Sequence, residues 1–193
     1  MWIHKKQRRF LLIGILLVSC PLLIWGVVKP ARLLAPTLSG VTQVADGVYV
    51  DDLSRAEEAT LLHAEAVAFV QENVCKFKHP PIVVLCATNK SSVEFGLKKQ
   101  AGHCWYGLGI VIAPMGWQPY YVRHEMIHHL QIEQLGILKV KTLPQWFVEG
   151  MAYSMSDDPR PALSEPWQSY RTTFDKWLRN IERDKIWERA AEL

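Results

Sequence analysis

The stretch YYVRHEMIHHLQIEQ, residues 120–134, is predicted to form a helix. Gly136 follows closely and is predicted to end this helix, since glycine is common just after the last residue of a helix. Within it, residues 124–128 read His-Glu-Met-Ile-His. Residues four apart on a helix differ by about 40° around its axis, so His124 and His128 project from one face and can reach one metal ion. Glu125 lies about 100° from His124 and can instead reach a water molecule bound to that ion, as a general base.

A third metal ligand is expected from a second predicted helix, residues 144–155, where the sequence WFVEGMA places Glu149 among apolar residues. A carboxylate in such surroundings must be paired or metal-bound, because burying it alone is costly. Glu149 follows His128 by 21 residues, enough for a helix end, a loop and an antiparallel helix. The small Gly150 and Ala152 should let the two helices approach closely. The sequence therefore predicts one Zn²⁺ per chain, held by three protein ligands with one position open.

The rest of the chain predicts an α+β fold with a small mixed or antiparallel sheet. Short apolar runs indicate strands, and apolar residues at helical spacing indicate helices before and after the site. Residues 41–50 are predicted to form a strand or a hairpin that is broken at Asp46 and Gly47, and further strands are predicted at residues 82–87 and 107–113. The predicted helices span residues 54–74, 120–134, 144–155 and 164–181.

The N-terminal segment is predicted to be a membrane anchor. Lys5, Lys6, Arg8 and Arg9 precede residues 10–28, which are uncharged and long enough to cross a bilayer as one helix. Positive charge favours the cytoplasmic side, so we expect a single-pass protein with a cytoplasmic N-terminus and an exported body.

The predicted domain organisation has three parts: residues 1–28 as the cytoplasmic and membrane segment, residues 29–40 as a linker, and residues 41–193 as the functional domain. Two alternatives for the first part remain open. One is a cleaved signal peptide, and the other is a lipoprotein, because residues 17–20 (Leu-Val-Ser-Cys) resemble a lipoprotein cleavage box.

The charge of the chain argues against nucleic acid as a partner. The sequence has 22 Lys and Arg against 19 Asp and Glu. Without the four basic residues that precede residue 10, the body has 18 basic and 19 acidic residues and is nearly neutral. Such a body lacks the positive surface that contacts with phosphates require.

Three cysteines lie in the body, at Cys75, Cys86 and Cys104. An exported compartment would permit one disulfide and one free thiol, and the sequence does not select the pair. The alternative is three small buried side chains without a disulfide.

The segments HEMIHHLQ (124–131) and LPQWFVEGMAYSMSDDPR (143–160) resemble the catalytic core of thermolysin-like gluzincin metallopeptidases, and more closely the small bacterial peptidase-MA-like membrane-associated proteins. The run GLGIVIAP (107–114) is similar to the edge strand that precedes the active-site helix in those proteins. The resemblance implies a zincin-like fold and a zinc metallopeptidase acting on a peptide or protein substrate. It also implies that the zinc ligands are His124, His128 and Glu149 and that Glu125 is the base.

Two departures from the family pattern affect the site. The thermolysin pattern has an Asp four residues after the ligand Glu, supporting a ligand His, but Tyr153 stands here. Asp157 is the candidate substitute. The signature of gluzincin aminopeptidases and the large C-terminal domain of thermolysin are both absent from this sequence.

Tyr153 is the leading candidate to stabilise the oxyanion, because it lies one helical turn from Glu149 on the same face. The other candidate donors are His103, Tyr106, Tyr120, Tyr121 and Arg160. His129 points about 100° away from His128 and is expected to be a packing or surface residue. Two other classes of protein remain open: a catalytically silent binding module at the membrane surface, and a structural membrane protein with an incidental motif.

Overall fold

The computed structural model describes residues 27–193, which form an α+β fold, as predicted. The strands are β1 (Thr42–Ala45), β2 (Val48–Val50), β3 (Val83–Leu85), β4 (Gly102–Trp105) and β5 (Gly109–Ile112). They form one sheet in the order β1-β2-β3-β5-β4. The three central strands are parallel, and the edge strands β1 and β4 pair antiparallel with their neighbours.

Seven α-helices complete the described part of the chain. They are α1 (Ala56–Asn73), α2 (Asn89–Glu94), α3 (Pro119–Leu135), α4 (Ile137–Thr142), α5 (Gln145–Met155), α6 (Trp167–Leu178) and α7 (Ile186–Glu192). Helix α3 packs against α1, α5 and the edge strand β4, while α5 packs chiefly against α6. Helix α3 therefore lies at the centre of the layer that covers one face of the sheet.

The sheet separates two hydrophobic clusters, because successive side chains of a strand point to opposite faces. Val83 and Leu85 of β3 belong to the larger cluster, together with residues of α1, α3, α5, α6 and α7. Val84 belongs to the smaller cluster on the other face. Burial on both faces explains why β3 lies within an uninterrupted apolar run, IVVLCA at residues 82–87.

The predicted edge strand at residues 107–113 lies inside the sheet instead. Its ordered part, β5, pairs with β3 on one side and with β4 on the other. The true edge strand, β4, has the sequence GHCW, which carries neither an apolar run nor a clear alternation of apolar and polar residues. The sequence of β4 therefore does not indicate a strand. The family resemblance instead predicts an edge strand at residues 107–113, which belong to β5.

Residues 29–40, predicted to be a linker, are packed against the domain. They form two short 3-10 helices, Lys29–Leu34 and Pro36–Ser39, and Leu33 is fully buried in the smaller cluster. The Lys29 ammonium donates a hydrogen bond to the Val93 carbonyl at 2.9 Å. The two prolines of this segment suggest an irregular linker. Proline also suits the first turn of a helix, and each of the two 3-10 helices has a proline in its first turn.

The predicted membrane span, residues 10–28, lies outside the described residues except for its last two. Within residues 27–193, no helix has both the length and the apolar character that a membrane crossing requires. The three cysteines of this part, Cys75, Cys86 and Cys104, are all free thiols.

Gly150 permits a close helix approach, but its partner differs from the predicted one. A Cβ atom at Gly150 would overlap the carbonyl oxygen of Tyr170 and lie 2.8 Å from Phe174 Cβ, and both residues belong to α6. The close contact is thus between α5 and the last long helix, rather than between α5 and α3. Phe174 is fully buried there, next to the rings of Phe147 and Trp177.

We expect Gly150→Ala to lower the free energy of unfolding by about 1–3 kcal/mol, because the added methyl group forces α5 and α6 apart. In an uncrowded helix the same change would stabilise the protein by about 1 kcal/mol. Chemical denaturation of the variant against wild type measures the effect, with Ser169→Ala at an exposed position of α6 as the control. A midpoint equal to or above that of wild type would contradict the close packing.

Candidate metal centre

Three ligand-type side chains converge between α3 and α5. His124 and His128 lie one turn apart on α3, and Glu149 lies on α5. The two Nε2 atoms are 3.1 Å apart, and Glu149 Oε2 lies 3.5 Å from the Nε2 of His124 and 3.7 Å from that of His128. Donors bound to zinc at about 2.0–2.1 Å in a tetrahedron stand about 3.3 Å apart. The three atoms therefore have the spacing of ligands around one ion of this size.

The charge state of the cluster follows from its burial and its internal contacts. The side chains of His124, His128 and Glu149 are 10%, 13% and 22% exposed. Burial alone would lower the pKa of His128, but the hydrogen bond and charge of Glu149 outweigh it and raise that pKa to about 9. Burial raises the pKa of Glu149, but the two histidines outweigh it and hold that pKa far below the usual range. A metal ion bound by these three side chains would displace a proton from His128.

Gln131 contacts His128 at Nδ1, the ring nitrogen that does not face the other two ligand-type side chains. It is fully buried, its Oε1 lies 3.0 Å from His128 Nδ1, and its amide nitrogen donates to the Val148 carbonyl at 2.9 Å. This amide links His128 to the helix that carries Glu149, and it therefore helps to fix the relative position of α3 and α5. Sequence reasoning missed Gln131, although its position three residues after His128 on one helix face was a usable signal.

Asp157, proposed from the sequence as a supporting residue for a ligand histidine, has another partner. Its side chain is 76% exposed, and a carboxylate oxygen lies 3.4 Å from the guanidinium of Arg123. Asp157 also has a positive φ of 57° just beyond the end of α5, and it does not line the cavity at the site. Gln131, rather than Asp157, is thus the residue that contacts His128 of the ligand group.

Glu125 lies beside the cluster without being part of it. The ligand group comprises His124, His128 and Glu149, and Glu125 lines the same cavity with an exposure of 8%. A Cβ atom at Gly102 of β4 would lie 2.9 Å from Glu125 Cγ and 3.1 Å from its Oε1. The Glu125 carboxylate thus occupies the space that a side chain at position 102 of the edge strand would need.

The cavity has a volume of about 400 Å³ and contains three of the candidate oxyanion donors. Tyr153 packs its ring against His124, with centroids 4.4 Å apart, and burial followed by the Glu149 charge raises its pKa to about 12. Its hydroxyl therefore keeps its proton at neutral pH. His103, whose pKa is lowered mainly by burial, and Tyr106 also line this cavity.

The remaining candidates lie outside the cavity lining. Arg160 forms an ion pair with Asp158, and its guanidinium lies 5.2 Å from the ring centroids of both Tyr120 and Tyr121. His129 lies with its Nε2 3.0 Å from the carbonyl oxygen of His79, away from the ligand group.

We expect Gln131→Leu to lower zinc affinity by about 10–100-fold, because a supporting hydrogen bond fixes both the tautomer and the orientation of a ligand histidine. Competition with a fluorescent zinc chelator measures this affinity. Gln134→Leu is the matched control, since Gln134 lies on the same helix and its amide contacts Cys75 Sγ instead. Equal losses in both variants would mean that the effect comes from helix stability rather than from His128.

The chain matches no protein-family model, and no curated protein or solved structure is significantly similar to it. Its function therefore has to be inferred from the chemistry of this site. The site offers three converging ligand atoms, a neighbouring carboxylate and a protonated phenol, all facing one cavity beside a sheet edge.

Proposed function

We propose that the protein is a zinc-dependent metallopeptidase of the gluzincin type, with a zincin-like domain exported and anchored by its N-terminal segment. The observation that carries the proposal is the convergence of His124, His128 and Glu149 at zinc-ligand spacing, with Glu125 beside them in the same cavity. A purely structural metal site would enclose the ion with four ligands, whereas three ligands facing a cavity leave room for water and substrate.

A bound zinc ion would supply Lewis acidity, which polarises the scissile carbonyl and lowers the pKa of water. Glu125 accepts a proton from the attacking water as the new C–O bond forms. It then delivers that proton to the leaving nitrogen as the C–N bond breaks, so one water molecule is consumed for each bond cleaved. Gly102 keeps the position of this carboxylate free, and a bulkier residue there would displace it.

The substrate would bind as an extended strand along β4. This strand lies at the edge of the sheet, and its residues Gly102, His103 and Cys104 line the cavity. An edge strand presents backbone N–H and C=O groups that an added strand can pair with. Main-chain pairing would hold the scissile bond in the cavity without requiring a particular side chain.

Tyr153 is proposed to donate a hydrogen bond to the carbonyl oxygen as negative charge develops there. We expect Tyr153→Phe to lower kcat by about 10²-fold, the usual effect of removing one oxyanion donor, while zinc content is unchanged. Steady-state kinetics on the best-cleaved peptide measures the effect. Tyr121→Phe is the control, because Tyr121 contacts Tyr120 and Arg160 outside the cavity lining. Equal kcat values in Tyr153→Phe and wild type would remove Tyr153 from the mechanism.

The direct test is zinc content and peptide cleavage by the full chain, purified in detergent without chelator. One zinc per chain together with cleavage supports the peptidase. Zinc without cleavage of any peptide in a broad library would favour the silent binding module. A folded, metal-free protein in zinc-containing buffer would overturn the peptidase.

A further inference from the structure

Residues 29–33, at the N-terminal end of the domain, are fastened to it by hydrogen bonds and by burial. The Lys29 ammonium reaches the Val93 carbonyl at 2.9 Å, and the Arg32 guanidinium donates to the Glu94 carbonyl at 2.8 Å. Leu33 is fully buried beneath them. The predicted membrane span ends at Val28, and Lys29, the first of these fastened residues, follows it directly in the sequence.

This fastened segment lies close to the edge strand of the site. A Cβ atom at Gly96 would lie 3.4 Å from the ring of Pro30 and 3.1 Å from the ring of Trp105, so the Gly96 backbone fills the gap between them. Trp105 is the last residue of β4, and its ring centroid is 4.3 Å from that of His103, which lines the cavity. A short series of contacts thus connects the membrane-proximal end of the domain to the candidate active site.

These contacts limit the height of the site above a bilayer. Each contact spans about 4 Å, so the rings of Trp105 and His103 lie within about 15 Å of Pro30 whatever the tilt of the domain. Because Pro30 follows the predicted span by two residues, we place the edge strand within about 20 Å of the hydrocarbon boundary. The headgroup region of one leaflet occupies about 5–8 Å of that distance.

The rim of the cavity has the character of a surface near lipid headgroups. Tyr106 directly follows β4 and is 41% exposed, and the ammonium of Lys141 lies 5.8 Å from its ring centroid. Leu138, on the same helix as Lys141 but outside the cavity lining, is 79% exposed. Tyrosine and lysine side chains both suit an interface, since each has an apolar body and a polar end.

We propose that the substrate of this site is a juxtamembrane segment: an extended stretch of a membrane-anchored protein or peptide, cut within about six residues of the bilayer, at about 3.3 Å per residue. This inference rests on the proposed peptidase activity and on the predicted N-terminal span. It adds a geometric selection, because the short connection between the predicted span and the domain restricts the cavity to bonds near the membrane.

The test uses the full chain reconstituted in phosphatidylcholine vesicles. A quenched-fluorescent peptide library first identifies one peptide that the full chain cleaves in solution. That peptide is then attached to a transmembrane anchor through flexible spacers of about five or about forty residues. We expect the short-spacer substrate to be cleaved about 20-fold faster, since effective concentration falls with about the −3/2 power of spacer length.

The matched control inserts a flexible Gly-Ser segment of about twenty residues between Val28 and Lys29. This insertion should reduce the ratio of the two rates to about one while leaving cleavage of the free peptide unchanged. Equal rates for both spacers in wild type, or a preference that survives the insertion, would overturn the proposal.

A second measurement reports the geometry without catalysis. A fluorescent amino acid at position 106 should be quenched by headgroup spin-labelled lipid in wild type and much less in the insertion variant. Failure to cleave any free peptide would overturn the proposed function, and this inference with it. Cleavage of free peptide with no spacer preference and no quenching would overturn this inference alone.

Discussion

Glu125→Gln should lower peptide cleavage by about 10²–10⁴-fold while the protein keeps about one zinc per chain. Glutamine preserves the shape and the hydrogen-bonding capacity of the side chain but does not accept a proton at neutral pH. The carboxylate lies outside the ligand group and next to Gly102, so its replacement leaves the three ligand atoms in place. Zinc stoichiometry and cleavage rate, measured on the same preparation, separate the loss of the base from the loss of the metal.

The control for this variant is Glu57→Gln, an exposed carboxylate on α1 that should change neither property. A Glu125→Gln protein that loses its zinc would show that the carboxylate is a ligand. A variant that keeps both zinc and full activity would show that the cleavage comes from elsewhere.

The second large effect concerns the metal itself. His128→Ala should lose nearly all zinc and all activity, because it removes a proposed ligand whose Nε2 lies 3.1 Å from that of His124. The loss of affinity should exceed the about 10–100-fold effect of a supporting residue. His129→Ala is the matched control on the adjacent residue, whose imidazole contacts the His79 carbonyl instead. Equal zinc content in the two variants would contradict the assigned ligand set.

Glu149→Gln tests the third ligand in a graded way. The amide oxygen is a weaker ligand than the carboxylate, so zinc affinity and activity should both fall, and excess zinc should restore part of the activity. If Glu149→Gln keeps its zinc while Glu125→Gln loses it, the roles of the two carboxylates are reversed.

The parts of the fold and site that depend on local pattern could be predicted. The helix predicted at residues 120–134 corresponds to α3, Pro119–Leu135, and the glycine that predicted its end, Gly136, directly follows its last residue. The same helical spacing brings His124 and His128 together, and the apolar surroundings of Glu149 identified it as a residue in need of a partner.

The parts that depend on tertiary contact could not be predicted in this way. Strand β4 is held by pairing with β5 and by the cover of α3, and its own sequence carries almost no strand signal. The role of Gly102 depends on the position of Glu125 across the interface between sheet and helix. Likewise, the hydrogen bond from Gln131 to the Val148 carbonyl depends on the packing of α5 against α3.

The burial of two free thiols of the domain has a consequence for their reactivity. Cys86 and Cys104 are buried, and burial raises the pKa of Cys86 to about 12 and that of Cys104 well above its usual value. Such thiols stay protonated and react slowly with oxidants, even in an oxidising compartment. In the folded state of residues 27–193, burial therefore shields these two thiols from oxidants, and neither is joined to another cysteine.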